Sequence, residues 1–339
     1  MNAALAAKLA KLRDDYVAVR GRPFEHFYCP ILFRDEDTPL CQAHIINEAF
    51  RDSARRWTIQ RADLDAFYGT YLEADFLAIQ ERSKHDLSHI LVDNRLRRQL
   101  RPKLLLDGKP LEFYAADGAI PSTFTELHVE PGPDKQPVRL ALKLDPSDAL
   151  RSLSGKLEIE VTMDVRVAAL GALLKAAHLT HFELQGYRYA LSAGGHFLGF
   201  DVLGRFFLDH VGAGKPRSRR LKERILSSAE EHFGEFVNLV RPVTAWPKEL
   251  TGTISDRFVY MCVGSPLPWG IITFVRTADV MHAVLVPVME DVEAGARFVR
   301  FLQEPTSSIE VKLARFCWDH WEISPTATRF QWPEASLTW

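Results

Sequence analysis

The chain carries only four cysteines in 339 residues, too few for the disulfide framework of a small secreted domain. They are read as reduced thiols or metal ligands of a cytoplasmic protein, and the N-terminal stretch has no secretory-signal pattern. No run approaches the roughly eighteen apolar residues that a membrane span requires, so no membrane partner is expected. An excess of one charge is also missing, since 42 Lys and Arg stand against 44 Asp and Glu. A global field toward nucleic acid is thereby excluded, and any basic surface must be local. Internal repeats and low-complexity tracts are absent, and so are several catalytic signatures. "GAGKPRS" around Lys215 has Asp209 and Pro216 where a phosphate-binding loop needs glycine and a hydroxyl residue. No G-x-G-x-x-G follows a strand, and no G-x-S-x-G elbow occurs.

What remains is an ordinary globular mixture, 47% apolar and 25% charged. At about 100–200 residues per domain, two domains are the natural expectation. The N-terminal residues repeat at helical spacing up to Gly21-Arg22-Pro23. "AHIINEAFRDSARR" also has helical periodicity, "WTIQ" reads as a strand, and "RADLDAFYGTYLEADFLAIQER" as a helix interrupted at Gly69. From Lys103 the period changes to alternation. "KLLLDGKPLEFY" is a hairpin around Asp107-Gly108, and "TFTELHVE", "VRLALKL" and "KLEIEVTMDV" continue as strands. "VAALGALLKAAHLTHFELQGY" is the strongest helix, after which strands return in runs. Runs of strands without strict β-α alternation predict an α+β fold with a mainly antiparallel sheet region. The expected organisation is a helical region over 1–100, with a zinc-knuckle or treble-clef-like module at about 24–55, followed by an α+β domain over 101–339. A further boundary is placed near Val165–Val167 or in the loop 212–220.

The chemistry concentrates in "FYCPILFRDEDTPLCQAHIINEAF". His26-x2-Cys29-x11-Cys41-x2-His44 sets two ligand pairs on either side of a short polar loop, the spacing of a small zinc site. The same spacing fits two buried thiols and a packed histidine equally well. Cys317-x2-His320 repeats the knuckle spacing inside an alternating pattern and is read as core.

The elements "YCP" and "LCQAHIINEAF" resemble the opening of HNH-type nucleases, whose treble-clef folds contain CP-x-C and HIIP elements. "LLKAAHLTHFELQGYRYALSAGGHFLG" resembles the region after the knuckles in some bacterial HNH-like proteins. The resemblance implies that His44 ends the first strand of a ββα-metal site. It would act as general base on a phosphodiester beside magnesium or manganese, in a bacterial defence or mobile-element setting. His44 could instead serve as a zinc ligand with His26, Cys29 and Cys41. Two departures stand out: Leu32 replaces the second cysteine of the CP-x-C element, and Asn47 replaces the proline. His85, His89 and Asp93 share one helical face and are candidate metal ligands, or else part of a solvated surface.

Two basic clusters are candidate phosphate-binding patches: Arg95, Arg97, Arg98, Arg101 and Lys103, and Lys215, Arg217, Arg219 and Arg220 with Lys222 and Arg224. Two functions follow as expectations. One is a metal-dependent HNH-like nuclease acting on DNA or RNA. The other is a non-catalytic, zinc-stabilised module that binds nucleic acid or a partner protein. His178, His181 and His196 are read as packed histidines.

Overall fold

The structure, a computed structural model, describes residues 3–50, 56–74, 76–77, 102–106, 109–113, 127–130, 138–142, 157–161, 165–211, 219–243, 258–263, 268–277, 280–289, 291–304, 308–317 and 320–332. It is an α+β protein in two compact units. One unit joins Met1–Ala74 to Arg166–Trp339, and the other is Asp75–Val165. The division thus brackets a central segment and does not fall at 100/101, because the chain before that segment packs with the chain after it.

The central unit contains a five-stranded sheet of β3 (Pro102–Leu106), β4 (Lys109–Phe113), β5 (Leu127–Glu130), β6 (Val138–Leu142) and β7 (Leu157–Val161), in the order β5-β6-β4-β3-β7. β3 and β4 form the expected hairpin, with Leu106 opposite Lys109.

In the larger unit, α1 (Ala3–Arg20) ends at Gly21, whose φ of 72° suits glycine at a helix terminus. β1 (Leu40–His44) and β2 (Trp57–Arg61) form an antiparallel pair, with Cys41 opposite Gln60 and His44 opposite Trp57. The helix predicted for "AHIINEAF" is not formed. The Asn47 side chain accepts the Ala49 N–H at 3.0 Å and its carbonyl accepts the Phe50 N–H, so a turn takes the backbone groups a helix would use. α2 (Ala62–Tyr68) follows β2 directly. At Gly69 the helix is not broken; it widens into a π-helical turn over Gly69–Glu73.

α3 (Val165–Gln185) is the centre of this unit. Every residue from 169 to 179 is buried, as expected of a helix covered on all sides. Short helices α4 (Tyr187–Ala190) and α5 (Ala193–His196) lead through a π-helical segment, Phe197–Gly204, into α6 (Arg205–His210). α7 (Arg219–Gly234) buries Ile225, Ala229 and Phe233, one residue per turn.

The second sheet is six-stranded and antiparallel, in the order β13-β12-β9-β10-β11-β8. Its strands are β8 (Val240–Val243), β9 (Phe258–Val263), β10 (Pro268–Thr277), β11 (Val280–Pro287), β12 (Ser308–Cys317) and β13 (His320–Gln331), with α8 (Val292–Gln303) between β11 and β12. The run Ala283–Val286 is wholly buried, as in a strand covered on both faces. Cys317 and His320 pair across the β12–β13 turn. Their spacing reflects a hairpin.

The turn around Cys29 is gripped by the helical layer. Cys29 N–H donates to the Arg34 carbonyl, Phe33 N–H donates back to Cys29, and Tyr28 bridges to Asp35. His178 Nε2 lies 3.2 Å from the Pro30 carbonyl, and the Tyr187 hydroxyl donates to the Tyr28 carbonyl. Two glycines of the π-helical segment allow the close approach. A Cβ at Gly199 would lie 2.6 Å from the Pro30 oxygen, and one at Gly204 would lie 2.6 Å from the Ile31 oxygen. Among the described residues, no helix is long and apolar enough to cross a membrane.

Replacing Gly199 with alanine is expected to destabilise the protein by about 1–3 kcal/mol, the usual cost of overpacking a close contact. Denaturant unfolding measures this, and an unchanged midpoint would show that the turn is not held this way.

Candidate functional site

The β1–β2–α2 module carries two of the side chains singled out in the sequence, Cys41 and His44. His44 is the last residue of β1, partly exposed, with Nε2 at 3.6 Å from Glu48 Oε2. Cys41 is half-buried on the same strand, and its thiol bonds to the Asp65 carboxylate of α2. Burial and that carboxylate push its pKa up to about 12. Cys29 is fully buried and its sulfur accepts the Leu32 N–H at 3.4 Å. Leu32 thus contributes a backbone N–H···S contact within the turn. Burial raises the Cys29 pKa to about 11. His26 is exposed beside Glu25, and its backbone N–H donates to Asp35. Among the described residues, no three His, Cys, Asp or Glu side chains are grouped so as to hold a metal ion. His85, His89 and Asp93 lie outside the described residues.

The centre of the module is instead an ammonium. Lys175 of α3 is completely buried, with Nζ at 2.9 Å from Asp65 Oδ1 and 2.7 Å from Glu73 Oε1. Glu73 sits in the π-helical turn, and its second oxygen accepts Asn47 Nδ2 at 3.3 Å. Asn47 thus orients the Glu73 carboxylate. The Tyr68 ring lies 5.7 Å from the ammonium, and its hydroxyl donates to the Leu203 carbonyl at 2.9 Å. Burial disfavours the Lys175 charge, but Glu73 and then Asp65 outweigh it and hold its pKa above the ordinary lysine value. A charged, doubly paired lysine is no nucleophile. Sequence reasoning passed over this residue, although a signal was available: one lysine inside an apolar helical run must find a partner.

Two buried histidines connect this layer to its neighbours. His178 Nε2 faces the Pro30 carbonyl and so carries the proton, which leaves Nδ1 to accept from the Tyr189 hydroxyl at 3.1 Å. His181 Nδ1 accepts from Gln185 at 3.0 Å, and its Nε2 donates to Thr273 of β10 at 2.7 Å. They are packed, as the sequence reading had it, but their partners include side chains.

Of the basic clusters, Lys103 stands in β3 opposite Glu160. Arg219 and Arg220 open α7, with Arg224 exposed one turn later. Arg95, Arg97, Arg98, Arg101, Lys215 and Arg217 lie outside the described residues. Compared with protein-family models, with curated proteins and with solved structures, the chain matches none.

Lys175→Met is expected to cost about 3 kcal/mol, because Glu73 is left as a buried carboxylate without its cation. Adding Glu73→Gln should recover part of that loss in a denaturant titration. A neutral effect of Lys175→Met would mean that the pair does not organise the module.

Burial also depresses the pKa of His178 to about 4, of His181 to about 3 and of His282 to about 4. The unfolded chain therefore binds more protons below its histidine pKa of about 6.5. Stability is fully present above that pH and is lost as pH falls toward about 4, by about 3 kcal/mol per histidine at the limit. Urea midpoints measured between these limits test it, and a flat profile would contradict neutral burial.

Proposed function

We propose that the chain is a non-catalytic, HNH-like nucleic-acid-binding protein in which the Lys175 ammonium replaces a metal ion at the core of the ββα module. The observation that carries this reading is the coordination of Lys175 by Asp65 and Glu73. A strand pair followed directly by a helix is the element order the HNH resemblance implies. In such a module the carboxylates on and after the helix are the natural cation ligands, and here both are neutralised from within the chain. The turn around Cys29, where a zinc knuckle would be tied by metal, is tied by His178 and Tyr187. Neither stabilisation needs zinc. Binding is assigned to the basic start of α7, where Arg219, Arg220 and Arg224 precede and flank a face that is buried at Ile225, Ala229 and Phe233. The resemblance would place such a binder in bacterial defence or mobile-element biology.

The test combines metal analysis, cleavage and binding on the purified full chain. The expected outcome is no stoichiometric zinc and no cleavage of DNA or RNA with magnesium or manganese. Binding should weaken with salt, and Arg219/Arg220/Arg224→Ala should reduce the slope of log affinity on log salt by about 3. Stoichiometric zinc lost in Cys41→Ser, or no binding at low salt, would overturn the reading.

A second reading, the metal-dependent nuclease, is favoured by one observation: His44 ends β1 and keeps partial exposure, the place a general base would occupy. It predicts cleavage that His44→Ala abolishes while the melting temperature is unchanged.

A further inference from the structure

A cavity of about 690 Å³ opens between α1, the end of α3, the start of α4 and Phe316 of β12. Small-molecule sites commonly enclose about 300–1,000 Å³. Its walls combine apolar surface from Leu12, Phe182 and Phe316 with charged groups from Lys8, Lys11, Asp15, Glu183 and Arg188. Thr58 of β2 also lines it, and this fully buried residue has a hydroxyl without a hydrogen-bond partner.

The charges in the wall are not equally available. Asp15 accepts the Tyr187 N–H at 2.5 Å and is packed so closely on Gly186 that a Cβ there would lie 2.1 Å from its oxygen. Gly186 has φ of 58°, so glycine is needed at this position twice over. Glu183 faces Lys8 at 3.9 Å. Lys8 donates to the Trp57 carbonyl at 2.6 Å and lies 4.6 Å over the Trp57 ring, which leaves two of its three N–H donors for other acceptors. Lys11 is exposed at the wall and forms no hydrogen bond or ion pair among the described residues, although its charge is felt at Asp15. Both acids are committed to protein groups, while ammonium donors remain open. The polarity left over is positive.

We infer that this cavity binds a small amphipathic organic anion, with its carboxylate, sulfonate or phosphate end at Lys11 and Lys8 and its apolar body against Leu12, Phe182 and Phe316. This site is separate from the ββα module's Lys175 cluster and does not depend on how that module acts.

Two probes of nearly the same apolar body separate charge from hydrophobicity: 8-anilinonaphthalene-1-sulfonate, an anion, and N-phenyl-1-naphthylamine, which is neutral. The full chain is titrated with each, and melting temperatures confirm that every variant is folded. The expected result is saturable binding of the sulfonate at one site per chain, weakened about tenfold by Lys11→Glu. The neutral probe should change by less than about twofold in that variant. Ala18→Trp, at an exposed position of the wall, should abolish binding of both by filling the space. Unsaturable binding, equal sulfonate affinity in Lys11→Glu, or full binding in a folded Ala18→Trp chain would overturn the inference.

Discussion

A single buried ammonium connects the two halves of the larger unit. Lys175 comes from α3, and its two carboxylates come from residues more than a hundred positions earlier. A lysine at this depth is tolerable only because Asp65 and Glu73 both reach it. That requirement dictates how α2 and its π-helical turn must lie on α3. Asn47 adds the strand side, so the element after β1 is fastened to the same carboxylate. At Gly171 a Cβ would lie 2.4 Å from Leu72, so the helices meet closely where the ion pair needs them close.

The turn around Cys29 follows the same logic. Backbone carbonyls at Tyr28 and Pro30 point into protein, where each must find a donor. Tyr187 and His178 supply them. His181 then carries the layer onto the six-stranded sheet through Thr273. Neutral imidazoles suit these places, since each ring nitrogen has a defined donor or acceptor role and no charge is buried. The buried Cys29 thiol packs in this turn as a small apolar group.

Much of the fold was legible from periodicity. The hairpin at Leu106–Lys109, strands β9 to β11 and the central helix at Val165–Gln185 follow from alternation or helical spacing, whereas the short β8 does not. The segment after His44 was not, because helical periodicity there lost to a local Asn47 side-chain bond that a hydropathy pattern does not contain. The site was legible only in part. The turn between Cys29 and Cys41 could be placed from motif spacing, whereas His44 at the end of a strand followed only from the resemblance and ran against the helical periodicity of its own stretch. Convergence on one ion could not be read that way, because spacing constrains neighbours along the chain and says nothing about what stands opposite them.

The sequence by itself determined the class of the fold and the absence of a strong overall charge. These depend on local pattern and composition, which tertiary structure does not alter. Only the tertiary structure decided what fills the module. Asp65, Glu73 and Lys175 lie on separate elements, and each is ordinary in its own stretch of sequence. Their meeting rests on the packing of α2 against α3, and burial then makes the pairing obligatory, since neither the ammonium nor Glu73 could remain charged there alone.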